Sequence, residues 1–163
     1  MRRVIYSLLL LALVSFVFAA DNDHPDQEDD VREAVFRYQF DHNASGLQKS
    51  AHAFCLALGD RDADPSEDFM KRFAHNKPPV RKASACHIAS SSALVDSPTG
   101  KPALLFRITK ITRISDTEFR VNGGYYEGNV SSSGNNYTVR KDGEGWSVTE
   151  DGTMVISRVN HWS

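Results

Sequence analysis

The chain is poor in the residues that most function classes need. Its 163 residues include only two cysteines and six prolines, with 19 bases against 21 acids. Without an excess of positive charge it lacks the electrostatic footprint of a nucleic-acid binder. A hydrophobic content of 40% and only ten glycines exclude a wholly disordered chain and a collagen. No C-x-x-C supports a redox motif, and His24, His42, His52, His75, His87 and His161 form no H-x-x-x-H zinc pair. The serines at 90–92 and 131–133 sit in no G-x-S-x-G elbow, so serine hydrolysis is unsupported. Asp60, Asp62 and Asp64 alternate as at the start of a calcium loop, but Pro65 and Lys71 stand where that loop needs a glycine and a bidentate glutamate. They read as a solvated acidic loop, and neither a metal nor a cofactor is expected.

What is present begins with Met1-Arg2-Arg3, an apolar run over 4–18 broken only by Ser7 and Ser15, and small residues around Ala19. This pattern reads as a secretory signal peptide over 1–19. The run is shorter than the roughly 20 apolar residues a membrane-spanning helix needs, so no stable anchor is expected. Loss of Arg2 and Arg3 with that segment takes the formal net charge from −2 to −4. An acidic, solvated arm is expected over 20–30, a single α+β domain over 31–159 and a frayed tail over 160–163. The signal routes the chain to a secreted or periplasmic location, an oxidising setting in which Cys55 and Cys86 pair. Closing that 31-residue separation restricts the unfolded chain by about 3–4 kcal/mol.

Val31, Ala34, Val35 and Tyr38 recur at helical spacing, with Phe36 and Phe40 widening the stripe, and predict an amphipathic helix over 28–41. Residues 51–58 alternate Ala53, Cys55, Ala57 with Phe54, Leu56, Leu58, a strand covered on both faces. Asp64-Pro65-Ser66-Glu67 predicts a capped second helix with Asp64 as its N-cap, and Lys77-Pro78-Pro79 ends it. A strand follows over 80–88, then a loop over 89–99. The C-terminal half reads as an antiparallel meander, 103–114, 118–126, 136–140 and 146–150, with a last short strand at 154–156. Ile111 changes the alternation of its strand and Gly123-Gly124 interrupts the next, so bulges that curve the sheet are expected there.

A long helix, a short one, then curved strands ending in Tyr137-Thr138-Val139 and Gly145-Trp146-Ser147-Val148 resemble the cystatin-like and NTF2-like α+β roll. The likeness covers most of the mature chain by order of elements. It implies an N-terminal amphipathic helix and a short second helix packed on a curved antiparallel sheet, with a pocket between helix and sheet and no fixed chemistry. The Gln-x-Val-x-Gly hairpin of cystatin inhibitors is missing. Pairing of two copies through the sheet is a further implication.

Gly123-Gly124-Tyr125-Tyr126-Glu127 is the most site-like segment, because glycines let backbone approach closely while two aromatics and a carboxylate can line a cavity mouth. With Tyr38, the residues Tyr125, Tyr126 and Glu127 are the candidate binding residues; packing in the core is their alternative reading. His52 and His87 fall in predicted strands, where an imidazole oriented by a carboxylate can serve as a general base; Asp41-His42 is a similar case. Asn43, Asn129 and Asn136 begin glycan-acceptor triplets. The expectation is an exported, non-enzymatic domain that binds a small apolar molecule or a peptide. An NTF2-like enzyme of isomerase or dehydratase type and a dimerising interaction module are the alternatives.

Overall fold

The computed structural model describes residues 25–128, 131–143 and 145–157, with side chains over 27–128, 131–143 and 145–153. The expected signal peptide, the start of the acidic arm, Asn129 and the C-terminal tail lie outside the described residues. Helix α1 (Pro25–Asp41) opens with proline in its first turn, where a missing N–H costs nothing, and so begins three residues before the position expected. Glu28 and Asp29 hold Arg32 at 2.5 and 2.7 Å, near the positive end of the helix. The amide of Asn43 donates to the carbonyl oxygen of Gln39 at 2.8 Å and satisfies an end carbonyl of α1.

Strand β1 (Ala53–Leu58) lies inside a six-stranded sheet. The short helix α2 (Glu67–Lys71) leads to β2 (Val80–Lys82), a 3₁₀ turn (Ala83–Ala85) and β3 (Cys86–Ile88). Then come β4 (Leu94–Asp96), β5 (Ala103–Ser115), β6 (Glu118–Tyr126), β7 (Ser132–Asp142) and β8 (Gly145–Ser157). The main sheet has the order β2-β1-β5-β6-β7-β8, and β3 and β4 form a separate antiparallel pair.

The expected antiparallel roll is therefore corrected. Among the described residues one main helix accompanies eight strands, and the main sheet is mixed, because β1 runs parallel to both β2 and β5. The molecule is richer in β-structure than a helix-on-sheet α+β roll. The physical cause is visible in β1: strands buried on both faces are typical of parallel ladders. Phe54 and Leu56 pack toward α1 with Phe36, Phe40, Phe69, Phe73, Leu104 and Phe106. The small Ala53, Cys55 and Ala57 face the other way, where Leu94, Ala103 and Leu105 close a second cluster.

Three local departures accompany this. The single strand expected over 80–88 is split by the 3₁₀ turn, and its halves join different sheets. The loop expected over 89–99 contains β4, which pairs Cys86 with Asp96 and Ile88 with Leu94. The last two meander strands are longer than expected, and 154–156 continues β8. The meander itself is antiparallel throughout β5–β8. Register shifts occur twice in β5, at Thr109 between the pairs Ile108–Gly123 and Lys110–Asn122 and again between Arg113 and Ser115, and twice more between β7 and β8.

Cys55 and Cys86 form the expected disulfide, Cα–Cα 6.5 Å, and so staple the β3–β4 hairpin onto the main sheet. A disulfide fits a compartment outside the cytoplasm. Among the described residues no helix is long and apolar enough to cross a membrane.

The cap of α2 is Ser66, whose hydroxyl accepts from Phe69 N at 3.1 Å, and not Asp64. Asp64 is instead drawn to the 3₁₀ turn, accepting from Ser84 N at 2.9 Å and from Ser84 Oγ at 2.6 Å. Burial alone would raise the pKa of Asp64, but the Ser84 hydrogen bonds and the charge of Lys82 outweigh it and leave it below the ordinary value. A folded-state pKa that is depressed stabilises above the unfolded value and loses that stabilisation as pH falls through the folded one. Asp64→Asn is thus expected to cost about 0.5–1 kcal/mol at pH 7, the scale of a lost cap discounted for exposure. The gap to wild type should close below about pH 4, where the wild-type carboxylate also protonates. Urea unfolding at both pH values checks this; an unchanged gap in acid would remove the carboxylate from the account.

Candidate functional site

A cavity of about 200 Å³ lies between the C-terminal part of α1 and strands β5–β8. Phe106, Tyr125 and Tyr137 supply its apolar wall, and Gln39, His42, Asn135 and Asp151 its polar one. Each polar group is held in place. Asn135 donates to Asp151 at 2.7 Å and its own carbonyl accepts from Ser133 at 2.8 Å. The Tyr38 hydroxyl is hydrogen-bonded to the same Asp151.

Gln39 is the unusual member. It stands in the apolar stripe, four residues after Val35, and is only 1% exposed. Its amide nitrogen faces Arg107 O at 3.3 Å and the Tyr137 hydroxyl at 3.2 Å, with Gly124 O at 3.5 Å. Its carbonyl oxygen Oε1 has no partner among the described residues. Such a buried acceptor is costly to leave unmade, on the order of 1–3 kcal/mol. Gly123 makes the approach of this amide to the sheet feasible: a Cβ there would lie 2.4 Å from Arg107 O and 3.0 Å from Gln39 Nε2.

Burial pushes the phenol of Tyr137 far above its usual pKa; the Gln39 hydrogen bond pulls it down, and Asp151 and Tyr38 push it up further. Tyr38 is likewise raised, by burial first and then by the charge of Asp151 and the hydrogen bond to it. Both hydroxyls stay protonated at neutral pH and act as donors and acceptors, not as bases. Among the described residues no lysine or arginine lines this cavity. The described residues around it offer amide, hydroxyl and imidazole groups and the carboxylate of Asp151.

The residues singled out in the sequence are dispersed. Tyr38 stacks on His42 at 4.2 Å and meets Tyr137 edge-on at 5.9 Å, at the edge of the cavity. Tyr125 is buried in its wall and its hydroxyl lies 2.8 Å from Ser131 Oγ. Tyr126 follows on the opposite face of the sheet, because successive strand residues alternate. Glu127 accepts from the hydroxyl of Ser45 and so ties the connection after α1 to the end of β6.

His52 precedes β1, is exposed, and lines none of these walls; its backbone N–H donates to Pro102 O at 2.8 Å. His87 does stand in a strand, β3, but it is exposed on the far side of the sheet with Ser97 Oγ at 2.9 Å. Among the described residues neither histidine has a carboxylate as hydrogen-bond partner. His42 is the imidazole that does reach the helix–sheet cavity, with Nδ1 3.1 Å from Tyr38 O. That carbonyl can only accept, so Nδ1 carries the proton and no carboxylate orients the ring.

Gln39, Asn135 and Asp151 escaped the sequence reading. A polar residue centred on an apolar helical stripe was the available signal for Gln39; the other two depend on the register of β7 and β8, Asn135 with Thr153 and Tyr137 with Asp151. Among the described residues no cluster of three or more metal-ligating side chains forms. Compared with family models, curated proteins and solved structures, the chain matches none, and nothing in those comparisons bears on the resemblance drawn from the order of its elements.

Proposed function

We propose that this chain is an exported binding domain, delivered by the signal peptide over 1–19, whose helix–sheet cavity holds a small molecule without acting on it. The observation that carries the reading is the hollow of about 200 Å³ between helix and sheet, whose polar wall is fixed by the 2.7 Å hydrogen bond from Asn135 to Asp151. A ligand N–H or O–H donor would meet the carboxylate of Asp151, and the amide of Asn135 and the hydroxyl of Tyr137, itself held by the Gln39 amide, would orient that ligand. The volume of about 200 Å³ admits a fragment-sized guest and no peptide, and its polar half favours a neutral donor-bearing molecule over a purely apolar one.

The test is nuclear magnetic resonance on the purified protein with a panel of small primary amides and phenols. Amides or phenols that bind should shift the side-chain amide signals of Gln39 and Asn135, and Gln39→Leu should weaken them at least tenfold while the fold is kept. Shifts that survive Gln39→Leu, or a panel that moves neither signal, would sink the reading.

A further inference from the structure

We propose that the cleft beneath the β3–β4 hairpin is a second binding site, for an uncharged and largely apolar molecule. It lies on the face of the sheet opposite the helix–sheet cavity and encloses about 640 Å³, within the range of roughly 300–1,000 Å³ usual for small-molecule sites. The floor is Leu94 and Leu105, both buried, and the walls include Tyr126 and Ile88. Ile88 is 50% exposed, a large aliphatic side chain left partly in water at a cleft whose floor is apolar and whose rim is polar. Covering it would gain hydrophobic free energy that the free protein forgoes.

The rim decides the charge of the guest. Asp62 holds Arg107 through both guanidinium contacts, Nη2 to Oδ2 at 2.6 Å and the second through Nε. Asp64 is taken by Ser84, and His87 meets Ser97. The guanidinium of Arg107 and the carboxylate of Asp62 already satisfy each other, so an ionic guest directed at either would have to break a bidentate pair before forming its own. A neutral apolar guest displaces only water. The disulfide fixes the hairpin wall against the sheet wall before the guest arrives, which lowers the ordering cost of binding.

The experiment is a fluorescence titration of the oxidised protein with Nile red, a neutral apolar dye. Saturable binding is expected, weakened about tenfold by Ile88→Glu and unchanged by Ile114→Glu. Ile114 is the matched control: at 52% exposed it is as accessible as Ile88 but lies far along β5, outside the cleft. Both residues are half in water, so neither substitution should alter the thermal transition. Equal losses in the two variants, or no saturation, would overturn the proposal. Loss in Gln39→Leu instead would place the dye in the helix–sheet cavity and also overturn it, so the two sites stand or fall separately. Tighter binding of the anionic dye anilinonaphthalene sulfonate would overturn the uncharged character of the guest.

Discussion

Replacing Cys55 and Cys86 together by alanine should lower the thermal midpoint by about 10–15 °C, from a loss of about 3–4 kcal/mol. The disulfide closes a loop of 31 residues and joins the central strand β1 to the hairpin of β3 and β4. Among the described residues the hairpin's other ties are isolated bridges from Ala93 to Gly128 and from Val95 to Pro102, and a few side-chain contacts. The hairpin contributes Leu94 to the second core cluster, and Arg81 faces the buried carboxylate of Asp96 at 3.5 Å, too far for a good hydrogen bond. Without the staple, an Asp96 only 2% exposed would rely on Thr99, which donates at 2.6 Å, and on that long ion pair. Calorimetry of the double variant is the measurement. A midpoint shift under about 3 °C would mean that Leu94 and the Asp96 contacts hold the hairpin unaided.

Phe106→Ala should cost about 3–5 kcal/mol, the largest single-residue effect in the domain. Its ring is fully buried and meets Phe40 tilted and Phe54 edge-on, at 5.2 Å each, joining α1, β1 and β5 in one aromatic cluster. It also forms part of the wall of the helix–sheet cavity. Removing it merges the void it leaves with an existing hollow, so the neighbours have little to collapse onto and the cavity penalty approaches its upper range. Urea unfolding would show the loss as a lower midpoint at unchanged slope. A cost below about 1.5 kcal/mol would show that α1 settles onto the sheet and closes the space.

Much of the architecture is legible in the residues because it is local. Helix α1 declares itself through Val31, Val35 and Phe36, and the antiparallel meander through alternation and tight turns, since each element pairs with its neighbour in sequence. The disulfide follows from two cysteines and an apparent export signal. What stayed hidden is long-range or very short. Three-residue strands such as β2, β3 and β4 show too few positions for any period to register. The parallel pairing of β1 leaves only its two-sided burial as a trace, which also fits a central antiparallel strand. Asp64 and Ser66 both suit an N-cap, and the choice was made by Ser84, 20 residues away.

The cavity was legible least of all. Its apolar half comes from residues the stripe and the alternation announce, but its polar half depends on which β7 residue faces which β8 residue. Two irregularities in that ladder, between Gly134 and Asn135 and between Thr138 and Val139, reset the pairing that local alternation would suggest.

The pairing of Ala53 with Ala103 spans most of the distance between α1 and the meander. The hairpins of β5 to β8 close over a handful of residues, whereas this ladder must first bring together segments fifty positions apart, with the entropy of that closure spent before any contact returns it. The molecule is thus assembled unevenly: a C-terminal half that can organise from near neighbours, and an N-terminal half whose central strand has no place until the other exists. A chain cut short after β4 would lack the partner strand on which β1 is laid.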